Sequence, residues 1–300
     1  MTASNMPTGV IWRGPVFDRG GYGNVSRNYV LGLHRIGFPV RVVNMGDVHD
    51  DVDAESAAIL RALENADVGS EPAVVAHTIP PDFANAAPLW PHEGTRRIGC
   101  TIFETDRLPV GWARDCNRMD EVWVPSEFNR RTFAASGVDA AKLRVLPYAV
   151  DTRLLSADNP RGEAFEFPAG TRRFKFLYNF AFDYRKGADL LLEAYWSEFA
   201  ASEDVAMVLK TYVPQYFTPE RGRAAAGTND GAGDVHAELA RLLLGKVDLI
   251  GGERAQVLVL DQPLSQRRLL RLYLAVDAYV STRSEEHTSE LQSRFGISYA

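Results

Sequence analysis

Arg185, Lys186 and Gly187 are the residues best equipped for chemistry, and they close the run Phe180-Ala-Phe-Asp-Tyr-Arg-Lys-Gly187. The aromatic-rich stretch before it, Phe174 to Phe180, predicts a buried strand. The stretch after it, Asp189-Leu-Leu-Leu-Glu-Ala-Tyr-Trp196, predicts a helix of good formers. Two cations and a flexible residue therefore fall at a strand-to-helix turn. In a doubly wound sheet such turns lie at the carboxyl ends of strands, where ligands bind. The free N–H groups of a helix N-terminus attract an anion, and two cations strengthen that attraction. This is the chemistry of a phosphate site, although a solvated basic turn would carry the same three residues.

A second group lies near the start of the chain. Gly9-Val-Ile-Trp12 predicts a strand, Gly20-Gly-Tyr-Gly23 a loop, Asn24 to Leu33 a helix and Phe38 to Asn44 a second strand. Gly20, Gly21 and Gly23 would let backbone approach a ligand with no Cβ in the way. The glycines do not follow the G-x-G-x-x-G order, and the second strand ends on Asn44 rather than on an acid that would hold a ribose. Both departures speak against a nicotinamide cofactor and a dinucleotide-dependent oxidoreductase, the alternative function.

Further along, Asp50 to Asn65 predicts an amphipathic helix and Ala73 to His77 a strand ending on histidine before a Pro-Pro loop. His77 at that end faces the usual crevice, as base, hydrogen-bond donor or oxyanion partner, or else as a structural cap. Arg97 to Glu104 predicts a strand ending on a carboxylate, with Glu104 either touching substrate or held in a salt bridge. Glu121 to Pro125, a helix capped by Ser126, and Lys142 to Pro147 complete a first domain.

The elements that must position these residues form a repeating βα pattern. Residues 1–150 predict one Rossmann-like domain, 151–170 a linker rich in proline and glycine, and 171–282 a second such domain. In the second, Val205 to Lys210 and Val257 to Leu260 predict strands. A loop-rich insertion spans Val213 to Gly233, a helix lies near His236 to Leu244, and another runs from Ser265 to Leu274. Asp277 to Ser281 is the last strand. The fold class is α/β.

Composition narrows the classes. The chain has 300 residues, 46% of them hydrophobic, enough for one large or two ordinary cores. A net charge of -6 argues against nucleic acid as a main partner. Two cysteines, Cys100 and Cys116, give no disulfide framework and no metal-ligand spacing. No basic leader opens the chain and no apolar run is long enough to span a bilayer, so a soluble cytoplasmic protein is expected, with peripheral membrane contact left open.

Several stretches together resemble the family-4-like glycosyltransferases of the GT-B fold, two Rossmann-like domains facing a cleft. They are Gly20-Gly-Tyr-Gly23, Thr101-Ile-Phe-Glu-Thr-Asp-Arg-Leu-Pro109, Met119 to Asn129, Phe182-Asp-Tyr-Arg-Lys-Gly187 and Asp277-Ala-Tyr-Val-Ser281, and the resemblance covers Gly9 to Ser281. It implies a nucleotide-diphosphate sugar as donor, held mainly by the second domain, and a carbohydrate, lipid-linked or other glycan acceptor on the first. It implies Arg185 and Lys186 clamping the departing diphosphate, with His77 near the reacting sugar. Gly20, Gly21, Gly23, Asp183, Lys210 and Thr211 would be donor-binding, and Tyr22 and Glu104 acceptor-side candidates. Neither a metal nor a cofactor beyond the donor substrate is implied, and the anomeric configuration would be retained; a non-catalytic sugar-nucleotide binding module is a second alternative beside the oxidoreductase. Where many relatives carry a Gly-Arg pair, this chain has Asn179-Phe180.

The last stretch departs more. The family follows its final quoted strand with a glycine-rich loop and two glutamates eight positions apart, and no glutamate in this chain has another eight positions on. Instead Arg283-Ser-Glu-Glu-His-Thr-Ser-Glu-Leu-Gln-Ser293 resembles an in-frame translation of a short-read sequencing adapter. The expectation is that residues 283–300 are a non-native tail and that the second domain is incomplete, unstable and inactive as written. Amplification of the genomic locus tests this; coding sequence continuing through Ser293 would refute it.

Overall fold

The computed structural model describes residues 6–18, 20–46, 48, 52–90, 93–150, 152, 164–182, 186–212, 239, 253–262 and 264–282. They belong to two compact units, divided near residue 160.

The first unit is built on six parallel strands: β1 (Val10–Gly14), β2 (Val40–Asn44), β3 (Ala73–His77), β4 (Arg97–Cys100), β5 (Glu121–Val124) and β6 (Leu143–Val145). Their order is β2-β1-β3-β4-β5-β6, so the chain steps outward from β1 to β2 and then returns to the other side of β1 with β3. That reversal opens a crevice at the carboxyl ends of β1 and β3. All five residues of β3 are buried, as a strand covered on both faces requires. On one face α1 (Gly21–Arg35) and α2 (Ala54–Leu63) supply Val30, Leu31, Leu60 and Leu63 against Trp12, Val42, Val75 and Ile98. On the other, Phe83 and Ala86 of a 3-10 segment (Pro80–Leu89), Cys116 of α3 (Trp112–Asn117) and Phe133 of α4 (Glu127–Ala135) pack on Val74, Ala76, Val122 and Val124. Local chemistry sets the helix starts. Asp53 accepts from the Ser56 N–H at 2.9 Å to open α2, and Ser126 accepts from the Asn129 N–H at 3.2 Å to open α4.

The second unit has four parallel strands: β7 (Phe174–Ala181), β8 (Val205–Tyr212), β9 (Gln256–Leu260) and β10 (Ala278–Tyr279), in the order β10-β7-β8-β9. Here the reversal falls between β7 and β10. Helix α5 (Ala188–Glu198) covers one face with Leu191, Leu192 and Tyr195 against Tyr178, Phe180, Met207 and Leu209. Helix α6 (Gln266–Leu274) covers the other with Leu272 against Leu177 and Val208, where Phe165 and Phe167 also pack.

Three sequence expectations change. The glycine run is not a free loop: Gly20 is the N-cap of α1, and Gly21 and Gly23 lie in its first turn. The strand expected over Arg97 to Glu104 ends at Cys100, leaving Glu104 in a loop. The strand expected over Asp277 to Ser281 pairs only through Ala278 and Tyr279. The 3-10 segment and α3 were not foreseen. The insertion at 213–233, most of the helix expected near His236 to Leu244, and the tail at 283–300 lie outside the described residues. No helix among the described residues is long and apolar enough to cross a membrane.

Candidate functional site

In the first unit the β1–α1 loop and His77 both stand at the carboxyl ends of β1 and β3, the strands on either side of the reversal. The loop is pinned from inside: the Asp18 carboxylate accepts the Gly20 N–H at 2.6 Å, and Arg27 reaches back from α1 to donate to the carbonyls of Val16 and Asp18. No side chain bonds into the first turn of α1 and no acid lies within that turn, while the Asp18 carboxylate on the N–H of the N-cap Gly20 offsets part of the positive end. Asn44, where a ribose-holding acid would stand in a dinucleotide site, instead accepts the Phe17 N–H at 3.3 Å and so serves the loop.

His77 is fully buried. Its Nδ1 lies 2.6 Å from Ser26 Oγ, which also accepts the Trp12 indole N–H at 3.1 Å. The Tyr22 ring lies over the imidazole with centroids 4.8 Å apart, and its hydroxyl sits 3.3 Å from Thr101 Oγ1. Burial raises the Tyr22 phenol to about 12, and the Glu104 carboxylate acts in the same direction, which places Glu104 near Tyr22. Arg13, one residue before the end of β1, has an Nη1 with no hydrogen-bond partner among the described residues, and Asp82 of the 3-10 segment offsets part of its desolvation.

Burial lowers the His77 imidazole from 6.5 to about 3. The sign of the consequence follows from linkage. Above pH 6.5 the ring is neutral in folded and unfolded chains alike, so it adds no pH dependence. Below it the unfolded chain takes up a proton that the folded chain refuses, so stability falls as pH falls toward 3, by up to about 1.4 kcal/mol per pH unit. Relative to His77→Gln, the wild type should lose about 2 kcal/mol between neutral pH and pH 5 in urea unfolding. Parallel pH dependences would refute the depressed value.

In the second unit the turn after β7 carries the expected cations. Lys186 is buried, and its carbonyl accepts from Tyr178 Oη at 2.6 Å and from Thr282 Oγ1 at 2.9 Å. Gly187 follows in the left-handed region at φ 61°, where a side chain would be strained, and is the N-cap of α5 with no side-chain cap. The turn thus leads into the N-terminus of α5 directly after Lys186, with Asp189 in the first turn of that helix. Asp183 and Arg185 lie outside the described residues. Asn179 and Phe180 are both structural. Asn179 donates to Tyr273 Oη at 2.7 Å, and Phe180 stacks on Tyr178 with centroids 4.4 Å apart.

Lys210 and Thr211 are both buried near the end of β8, two residues and one residue before Tyr212 and in register with Asn179 and Phe180. Alternation along the strand puts Thr211 on the α5 side with Leu209, and Lys210 on the α6 side with Val208. The first unit therefore brings Gly20, Gly21, Gly23, Tyr22, His77 and Glu104 to one neighbourhood, and the second places Lys186 at its own strand reversal. Sequence reasoning missed Trp12, Ser26, Arg13, Arg27 and Thr282. A serine amid the apolar positions Val25, Tyr29 and Val30 of α1 was the one visible sign of Ser26. Among the described residues no group of three histidine, cysteine or acidic side chains could hold a metal.

Parallel sheets of this kind, each with a reversal in its strand order, are those of doubly wound α/β folds. No protein-family model and no curated protein sequence matches the chain. Solved structures do. Anabaena HepE in complex with UDP and glucose matches with a TM-score of 0.54 at 12% identity, over 95% of this chain and 77% of that one. A glycosyltransferase from Rickettsia africae matches with a TM-score of 0.56 at 12% identity, over 91% and 72%. The α,α-trehalose 6-phosphate synthase of Burkholderia multivorans matches with a TM-score of 0.54 at 12% identity, over 97% and 81%. The fold of the chain is α/β of the GT-B type.

Proposed function

We propose that this chain is a glycosyltransferase of the family-4-like group, acting in the cytoplasm on a nucleotide-diphosphate sugar and a glycan or lipid-linked acceptor. The bond between the anomeric carbon and the phosphate oxygen breaks, its electron pair leaves with the nucleoside diphosphate, and an acceptor hydroxyl forms the new bond and gives up its proton. Lys186 and Arg185, with the N-terminus of α5, stabilise the charge that develops on the departing diphosphate, so no metal is required. Configuration at the anomeric carbon is retained. His77 and the N-terminus of α1 are the first unit's candidates for contact with substrate.

The observation that carries this reading is Lys186, buried, at the strand reversal of the second sheet and directly before the N-cap of α5. The HepE structure, which holds UDP and glucose, supports uridine diphosphate as the first nucleotide to try. Calorimetric titration of UDP, GDP and ADP, and of their glucose conjugates, should show one nucleoside diphosphate bound. Release of that diphosphate from the conjugate then reports turnover, which is expected to be weak here because Arg283 to Ser293 lacks the paired glutamates. Absence of heat with every nucleotide would refute the reading.

A further inference from the structure

The hydrogen-bond chain behind His77 decides which ring nitrogen carries the proton. The Trp12 indole N–H can only donate, and it donates to Ser26 Oγ at 3.1 Å. That oxygen's other partner among the described residues is His77 Nδ1, 2.6 Å away. With the indole occupying one lone pair, the serine proton has a single acceptor within reach, the bare Nδ1. Were Nδ1 protonated instead, the indole and the imidazole would both donate to Ser26 Oγ, and the hydroxyl proton would be left without an acceptor. Ser26 and His77 are each 0% exposed, so no bulk water would rescue it. The proton on the ring therefore belongs on Nε2, which has no partner among the described residues.

The backbone makes room for this arrangement. A Cβ on Gly14 would lie 2.6 Å from Ser26 Oγ and 2.9 Å from Trp12 Nε1, so a side chain at the end of β1 would displace the relay. Tyr22, the other group facing the ring, is held un-ionised by burial and brings no charge that would favour an imidazolium.

We propose that Trp12 and Ser26 are positioning residues that hold His77 as the Nε2–H tautomer, so that it offers an oxygen of the sugar donor an uncharged hydrogen-bond donor and does not serve as a base. What the ring meets rests on the glycosyltransferase reading; the tautomer does not. No proton changes hands at His77, so deprotonation of the acceptor falls to another group.

Two-bond proton–nitrogen correlation on the chain labelled with 15N-histidine tests the tautomer, with the His77 signal identified by its loss in His77→Gln. A pyrrole-type Nε2 and a pyridine-type Nδ1 are expected; the reverse pattern overturns the proposal. Ser26→Ala removes the hydroxyl that donates to Nδ1, so the Nε2–H form loses its advantage and the Nδ1–H form should gain population. An unchanged pattern in that variant removes Ser26 from the relay and overturns the proposal as stated. If either variant fails to fold, the wild-type spectrum still decides between the two ring patterns. Titration with UDP, GDP and ADP and their glucose conjugates separates the two readings: an Nε2–H ring with none of them bound refutes the glycosyltransferase and leaves the relay, and binding with an Nδ1–H ring does the converse.

Discussion

Lys186→Met should weaken binding of the nucleoside diphosphate by about 10- to 100-fold while leaving the melting temperature within a few degrees. Methionine keeps most of the apolar stem that the buried lysine packs, so the change isolates the charge. A hydrogen bond involving a charged group contributes about 1.5–3 kcal/mol, and each 1.4 kcal/mol is about tenfold in affinity. The carbonyl contacts from Tyr178 and Thr282 do not involve the side chain, so the turn should keep its path in the variant. Calorimetry gives the affinity and scanning fluorimetry the stability. Unchanged affinity with an intact fold would mean that the phosphates bind elsewhere, and the functional proposal would lose its main support.

Gly23→Ala should have the largest effect on stability, with opposite behaviour nine residues along the same helix. A Cβ at Gly23 would lie 2.0 Å from the Asp18 carbonyl oxygen and 2.9 Å from that of Pro15. Both are backbone atoms, so the loop must shift, and the Arg27 bonds to Val16 and Asp18 shift with it. Forced repacking of this kind costs about 1–3 kcal/mol, and the expected loss lies at the upper end. A Cβ at Gly32 meets nothing within 4 Å, so Gly32→Ala should stabilise α1 by about 0.5–1 kcal/mol. Paired urea melts of the two variants check the sign. If both change stability alike, helix propensity governs at both positions and the close approach at Gly23 is not a constraint.

How much of this was legible in the sequence depended on whether the information was local. Ala73 to His77 was read with its observed bounds because an apolar run ending on a polar residue marks a buried strand. Ser126 was read as a cap because its partner sits three residues on. The start of α1 was misread because three glycines within four residues suggest a loop on propensity. The helix begins there anyway, and the absent side chain at Gly23 is what lets the turn close against Asp18. The strand over Arg97 to Glu104 was drawn too long because Ile102 and Phe103 continue the apolar pattern. Pairing nevertheless stops at Cys100, and beyond it Tyr22 and Asn129 engage the segment instead. Pro80 to Leu89 hid its 3-10 turns behind prolines that break a helical period. The contact of His77 with Ser26 spans 51 residues of chain, and no spacing rule reaches that far.

The bond from Thr282 to the Lys186 carbonyl joins residues 96 positions apart. Residues 174–198, cut out as a peptide, would therefore lack one of the ties that shape the cation turn. During synthesis the turn stays unfinished until the final described strand has left the ribosome and docked. Closing so long a loop carries an entropic penalty that only the rest of the sheet can offset. The shape of this turn is thus a late acquisition of the folding chain.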